Sequence, residues 1–255
     1  MSQEVPTYTA EQVRTAERPL IDAGTPLMHR AAGALADVIR AELSSSDTAT
    51  TLTGALEPVA LDNPDTPRPR VLVLVGSGDN GGDALYAAAQ IAAVADVDAL
   101  LVADRFHESA LAAAVGAGVR RVDLAEVGDT AHRYGLIVDG ILGIGASRDP
   151  ALRGTARQAV TTLLSTISGD GSRPRIVAVD IPSGLQPDTG VADDAVLPAS
   201  VTVTFGAVKA GLVAGRGPEL TGEIVLVDIG LGAALEAVEP AGEASVSRVL
   251  VSQTD

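Results

Sequence analysis

A strand that runs straight into a glycine-rich turn limits the folds open to this chain more than any other feature. Val71-Leu-Val-Leu-Val75 is followed by Gly76-Ser-Gly-Asp-Asn-Gly-Gly-Asp83. Five apolar residues in a row, without polar alternation, suit a strand covered on both faces, as in a parallel sheet flanked by helices. Gly76, Gly78 and Gly81 fit G-x-G-x-x-G, the fingerprint that lets a pyrophosphate approach a helix N-terminus. Yet Asp79 and Asp83 put negative charge where the helix dipole and free N–H groups hold phosphate. These carboxylates either cap the helix or require a cation or a ligand hydroxyl as partner. The pattern therefore predicts a variant nucleotide site with an oxygen-rich floor.

The rest of the chain supports such a sheet. Strands are predicted at 71–75, 97–103, 119–122, 136–139, 175–179, 200–205 and 223–228, and helices at 83–95, 106–117 and 155–167. That alternation predicts an α/β fold: a Rossmann-like, mainly parallel, doubly wound sheet with helices on both faces. Hydrophobic residues make up 46% and aromatic residues 2%, so the core must be built from Ala, Val, Leu and Ile. Two helices come first, one from Thr9 to Ala23 and one opened by Thr25-Pro26 and running to Leu43. Residues 44–70, rich in Ser, Thr, Asp and Pro, read as a flexible loop. From Ala233 the chain has helical potential but weak order, and 239–255 read as a tail or linker. At 255 residues a single domain is expected.

With 33 acidic and 18 basic residues, a formal net charge of −15, the chain is not expected to bind nucleic acid or an anionic membrane. It has no cysteine, hence no disulfide, thiolate catalyst or Cys-based zinc site. The start Met1-Ser-Gln-Glu-Val-Pro6 lacks the order of a signal peptide, and no apolar run nears the roughly 20 residues of a membrane span. A cytoplasmic protein is expected.

In open α/β sheets the ligand lies beyond the carboxyl ends of the strands. Besides the opening loop, three strand exits carry polar, glycine-rich segments: Asp139 to Arg148, Asp180-Ile-Pro-Ser-Gly-Leu185, and Phe205 to Leu212 with Lys209. Taken singly, Asp83 is equally a helix cap, Asn80 and Ser183 equally turn residues, and Lys209 equally a surface lysine. Asp139 and Asp180 are harder to explain away, because a carboxylate ending an apolar strand is desolvated unless paired. Converging, Asn80, Asp139 and Ser183 would offer amide, carboxylate and hydroxyl oxygens, a set suited to a hard cation. His29, His107 and His132 lack ligand spacing and read as solvated surface.

These motifs, in this order, resemble one family, the NAD(P)H-hydrate epimerases, whose domain also forms the N-terminal half of bifunctional nicotinamide-nucleotide repair enzymes. Val75 to Asp83 resembles its Gly-x-Gly-Asn-Asn-Gly-Gly-Asp loop, Ile137 to Gly145 its Asp-Ala-Leu-Phe-Gly-Thr-Gly segment, and Val179 to Leu185 its Asp-Ile-Pro-Ser-Gly segment. Thr204 to Leu212 and Gly222 to Gly230 are similar to its closing strands, and Leu27-Met-His-Arg-Ala-Ala32 to its early Leu-Met-x-x-Ala-Gly helix. Asp79 replaces the family's first Asn, Ala84 a Gly, Gly140 an Ala, Ile144 a Thr, and Gln186 an acid or Asn.

The resemblance implies a homodimer that epimerises hydrated NADH or NADPH beside a potassium ion. It implies potassium ligands at Asn80, Asp139 and Ser183. Substrate contacts follow at Asp79, Asn80, Gly81, Gly82 and Asp83, at Gly143, Ile144, Gly145, Ala146, Ser147, Arg148 and Asp149, and at Asp180. Asp180 is the expected acid/base, with Lys209 orienting it or sharing its proton. The end of the chain resembles the linker through which bifunctional relatives continue into an ATP- or ADP-dependent dehydratase, which implies functional coupling to such an enzyme. Two other readings stay open on the residues alone. One is an NAD(P)-dependent oxidoreductase with Asp104 on the ribose, and the other a non-catalytic nucleotide-binding module on the same fold.

Overall fold

A computed structural model describes residues 2–51, 67–145, 149–167 and 173–252. The chain opens with β1 (Gln3–Tyr8), α1 (Ala10–Asp22) and α2 (Leu27–Thr51). The alternating part runs β2 (Arg70–Val75), α3 (Asp79–Ile91), β3 (Asp96–Leu101), α4 (Glu108–Gly116), β4 (Arg120–Val122), α5 (Leu124–Thr130), β5 (Leu136–Gly140), α6 (Gly154–Ile167), β6 (Arg175–Val179) and β7 (Val201–Phe205). It closes with β8 (Val208–Lys209), α7 (Gly217–Leu220), β9 (Glu223–Asp228), α8 (Gly232–Leu235), β10 (Gly242–Val246) and β11 (Arg248–Val251).

Eight strands form one sheet in the order β11-β9-β7-β6-β5-β2-β3-β4. Every neighbouring pair in it is parallel. The unbroken apolar run in β2 is explained by its central place: Val71, Val73 and Val75 join Leu35, Ile39, Leu85 and Ile91 of α2 and α3 on one face. Leu72 and Leu74 join Val127 and Leu163 of α5 and α6 on the other. Each such side chain contributes roughly 1.5–3 kcal/mol of apolar burial. The layers are thus α/β/α, as the alternation predicts. A second, three-stranded sheet, β10-β1-β8, packs Val5, Val208 and Val246 against Ile181 and Leu185 of the segment that follows β6. Among the described residues no helix is long and apolar enough to cross a membrane.

Three stretches depart from the sequence-based expectation. The predicted loop 44–70 begins as helix, since α2 continues to Thr51 and β2 starts at Arg70. Ser44 and Ser45 remain helical by donating their hydroxyls to the Arg40 and Ala41 carbonyls. Residues 52–66 of that prediction lie outside the described residues. Helix α3 begins at Asp79 rather than Asp83, so the acidic loop is the helix's own first turn, started when the Gly78 carbonyl accepts the N–H groups of Gly81 and Gly82. The weakly ordered tail is corrected most. Beyond the short α8, β10 pairs antiparallel with β1 and β11 pairs with β9, burying Ala244 and Val246. Only residues 253–255 of it lie outside the described residues.

Candidate functional site

The chain order of the strands reverses between β2 and β5: β3 and β4 extend the sheet on one side, and β5, β6, β7, β9 and β11 on the other. At this switch point the two flanking strand exits diverge and leave a crevice. The loops meet there at close range. A Cβ on Gly76 would lie 1.8 Å from the Ile141 carbonyl oxygen, and one on Gly81 2.3 Å from that of Gly76, so side chains are excluded where α3 presses on the β5 exit.

Asn80, at the second position of α3, reaches across this junction. Its Nδ2 donates to the carbonyls of Leu142, at 3.1 Å, and Val179. Its Oδ1 faces Gly143, 2.2 Å from where a Cβ would stand. The Leu142 N–H donates to Ser183 Oγ at 2.9 Å, and the Ser183 N–H donates to Asp139 Oδ2 at 2.8 Å. Asp139 is 0% exposed and accepts from the N–H groups of Ser183 and, at 3.4 Å, Ile141. Burial pushes its carboxyl upward from the ordinary range, against the lowering effect of the Ser183 side chain and of those backbone hydrogen bonds. Asn80, Asp139 and Ser183 therefore form one connected knot.

Asp180 follows β6 with φ of 68°, the one non-glycine residue in the left-handed region among those described. Its backbone is fixed by donation from its N–H to the Val203 carbonyl at 2.8 Å. Strained backbone of this kind persists where surrounding structure over-determines it and clusters at active sites. Among the described residues every bond to its carboxylate falls on Oδ1, from Lys209 Nζ, from Thr204 Oγ1 at 3.3 Å and from the Phe205 N–H at 3.3 Å. Oδ2 is left for the cavity that Asp180 lines. Lys209, 1% exposed, also donates to Thr204 Oγ1 at 3.2 Å and to the Phe205 carbonyl at 2.8 Å, which occupies all three ammonium protons. It is a buried, saturated cation held in register with Tyr8 of β1, not the surface lysine that the sequence equally allowed.

The cavity, about 720 Å³, is lined on the acidic side by Asp79, Asn80, Asp83, Asp180 and Glu17. Asp83 is buried, and its Oδ1 has no hydrogen-bond partner among the described residues. Burial above all, then the charges of Asp180, Asp79 and Glu17, hold its carboxyl well above the usual range. Glu17, half-buried on α1, is likewise pushed up by burial, with Lys209 opposing and Asp180 and Asp79 adding to the effect. Asp79 is exposed at the first position of α3.

Of the other predicted contacts, Gly143, Ile144 and Gly145 line the cavity, the Ile144 carbonyl also accepting from Arg14 Nη1 at 2.7 Å. Gly81 and Gly82 are buried in the first turn of α3. Asp149 is exposed, accepts from the Ala151 N–H and the Arg153 guanidinium, and is held below its ordinary pKa by them. Ala146, Ser147 and Arg148 lie outside the described residues. Glu17, Met28 and Tyr86 line the cavity without having been singled out, as do His29 and His107, which the sequence suggested were merely solvated.

The model of the family described as YjeF-related protein N-terminus matches residues 24–211. The chain belongs to this family. Among its relatives is the NAD(P)H-hydrate epimerase of Microbacterium testaceum, 49% identical over 97% of this chain and 88% of that one. Another is the NAD(P)H-hydrate epimerase of Clavibacter michiganensis, 46% identical over 88% of this chain and 90% of that one. The bifunctional NAD(P)H-hydrate repair enzyme of Mycobacterium leprae is 38% identical over 88% of this chain but only 41% of its own length. In three dimensions the chain is similar to the crystal structure of yeast ynu0, YNL200c, with a TM-score of 0.66, 17% identity, and coverage of 84% of this chain and 86% of that one. This likeness supports the YjeF-related fold. The matched region contains Asn80, Asp83, Asp139, Asp180, Ser183 and Lys209, while Glu17 of α1 lies before it.

Proposed function

We propose that this protein is an isomerase that interconverts the R and S forms of hydrated NADH and NADPH at C6 of the nicotinamide ring, a step in nicotinamide-nucleotide repair. The observation that carries the reading is Asp180, strained, anchored on one oxygen to buried Lys209 and open to the cavity on the other. The names of the similar epimerases support it.

The substrate's C6 bears a hydroxyl beside the ring nitrogen. When that hydroxyl is protonated, the nitrogen lone pair expels it as water and an iminium-like cation forms. Water returning to the opposite face of C6 gives up a proton and completes the inversion, with no net consumption of anything. Such a reaction calls for acid and base groups in a site that limits water. Asp180 handles the proton through Oδ2, while Lys209 orients the carboxyl and shares its proton. Asp83, whose pKa is pushed up, remains an acid over a wider pH range and is the proposed proton donor beside Asp180. The acidic wall also stabilises the passing cation. Asp79 to Asp83 and Gly143 to Asp149 are the proposed substrate contacts.

Asn80, Asp139 and Ser183 are the proposed holders of a potassium ion. The fit rests on the donor set: neutral oxygens with one buried carboxylate whose partners are backbone N–H groups suit a weakly charged, hard cation. Among the described residues no group of three or more His, Cys, Asp or Glu side chains is arranged to hold a metal ion, so a transition metal fits poorly. When bound, potassium would offset negative charge beside the phosphate-bearing part of the substrate. A homodimer, a cytoplasmic location, one domain and functional coupling to an ATP- or ADP-dependent dehydratase belong to the same proposal.

The test is an epimer-interconversion assay by chiral chromatography, with and without potassium. Turnover of either epimer to the equilibrium mixture is expected, faster with potassium; wild-type protein that leaves both epimers untouched overturns the proposal.

A further inference from the structure

The cavity that Asp180 lines is also lined by a cluster of rings. This chain has three tyrosines, two phenylalanines, three histidines and no tryptophan, so rings are scarce in it. Three of them nevertheless meet at one wall. His29 of α2 and Tyr86 of α3 have ring centroids 4.5 Å apart, tilted by 48°, and Tyr86 and His107, just before α4, are 5.8 Å apart in an edge arrangement. All three line the cavity, with His29 exposed and the other two half-buried.

The cluster is held in place. Tyr86 Oη donates to Ser109 Oγ at 3.4 Å, Ser109 Oγ lies 3.2 Å from His107 Nδ1, and Nδ1 accepts the Ala110 N–H at 3.3 Å as it caps α4. An Nδ1 that accepts a backbone N–H leaves the ring proton of neutral His107 on Nε2, as a donor. The adjoining Cδ2 of His107 is 3.4 Å from where a Cβ on Gly82 would stand, so the glycine gives the ring its seat. Helix α3 acts as a ruler. Asn80, Asp83 and Tyr86 follow at three-residue steps on one face, so Tyr86 is roughly 9 Å along the axis from the knot at Asn80.

We infer that the His29–Tyr86–His107 wall is the stacking subsite for the adenine base of the dinucleotide, on the part of the cavity wall that α2, α3 and the start of α4 supply rather than the part that carries Asp180. This rests on the epimerase reading. A purine stacks on ring faces, and among the described lining residues the one ring beside Asp180 is that of Phe205, which is buried. His107 Nε2–H supplies a donor to a purine nitrogen. None of the three residues takes part in the bond changes at C6, so the subsite acts on binding alone.

The test compares hydrated NADH with hydrated reduced nicotinamide mononucleotide, which lacks adenine. His29 is exposed, so His29→Ala spares the core; Tyr86→Leu, which keeps bulk but removes the ring, is its companion. Each is expected to raise KM for the dinucleotide about tenfold, in the range of lost base stacking, with kcat unchanged. KM for the mononucleotide is expected to stay at its wild-type value. Equal KM increases for both substrates, or no increase for either, overturn the inference. Calorimetric titration with AMP keeps the two readings apart. If wild-type protein binds AMP and His29→Ala does not, the subsite stands even when no epimerisation is seen. AMP binding unaffected by both variants overturns the subsite alone.

Discussion

Asp98, near the start of β3, and Asp83, in the first turn of α3, are both buried carboxylates, and they sit at opposite ends of the same sheet. Asp98 accepts from Arg70 at 2.8 Å, from Arg120 at 2.9 and 3.0 Å, and from the Tyr134 hydroxyl at 2.7 Å. Nearby, Glu42 of α2 pairs with Arg175 at the start of β6. At the carboxyl ends of the strands no arginine fork meets a buried carboxylate among the described residues. Asp139 rests on Ser183 and the Ile141 N–H, Asp180 on one lysine with Thr204 and the Phe205 N–H, and Asp83 has an oxygen without a partner among the described residues. Equal burial therefore carries two meanings. Where arginines saturate the oxygens the charge fixes structure, and where they do not, the carboxyls keep unused capacity for a ligand and for protons.

The sharpest way to break this contrast is to remove one carboxylate from each end. Asp180→Ala is expected to lower the epimerisation rate per folded molecule by roughly 10²–10⁴-fold, the usual contribution of a positioned acid/base, and also to lower stability, because Lys209 stays buried without its counter-charge. Asp98→Ala is expected to touch stability alone. It should destabilise the fold by about 2–4 kcal/mol, somewhat less than a fully buried pair because the Arg120 side chain is half exposed and regains water. Activity per folded molecule should stay at the wild-type level. Denaturant titration and the chiral assay on both variants decide it; a catalytic loss at Asp98 with the fold intact would remove the distinction.

The same division governs what the sequence makes readable. The central strands and their polar exits are legible because β2, β5 and β6 write burial as unbroken apolar runs, and because Asp139 and Asp180 stand out against them. Asn80, Asp139 and Ser183 could be grouped from chemistry alone. The small sheet could not, since its signal is not local: Gln3 pairs with Val246 and Tyr8 with Lys209, partners at opposite ends of the chain or far along it. Without those pairings 242–251 look like a weak tail, and Lys209 looks like any surface lysine. Glu17 was missed for the same reason. It is one charge on the polar side of an amphipathic helix, and only the docking of α1 turns it toward the cavity.

Asp83 sharpens the comparison through pH. Its folded pKa is raised, so over the interval above the ordinary carboxyl value the unfolded chain has released the proton while the folded chain retains it. The unfolded state then binds fewer protons, and stability falls as pH climbs from about 4 toward the folded pKa. Asp83→Asn removes that titration. The thermal midpoint is expected to rise by a few degrees at pH 8, a shift of roughly 1 kcal/mol for a chain of this size, and to change little at pH 4. Epimerisation should fall at the same time, because the acid is gone. If the variant loses stability at pH 8, as a saturated carboxylate such as Asp98 would, Asp83 belongs with the structural set.

The smallest expected effect tests how far the acidic wall extends. Glu17 lies outside the matched family region, yet its charge is among those that raise Asp83. Glu17→Gln should let the Asp83 carboxyl fall toward its ordinary range, so the loss of stability with rising pH ends earlier and the plateau lies slightly higher. Combined with Asp83→Asn, the part of the gain that comes from relieving Asp83 should vanish, leaving only what the burial of the Glu17 carboxyl itself costs. A double-mutant cycle at pH 8 is therefore expected to show a coupling on the order of 0.5 kcal/mol, above the roughly 0.3 kcal/mol within which independent sites add. Strict additivity would separate α1 from the acidic wall.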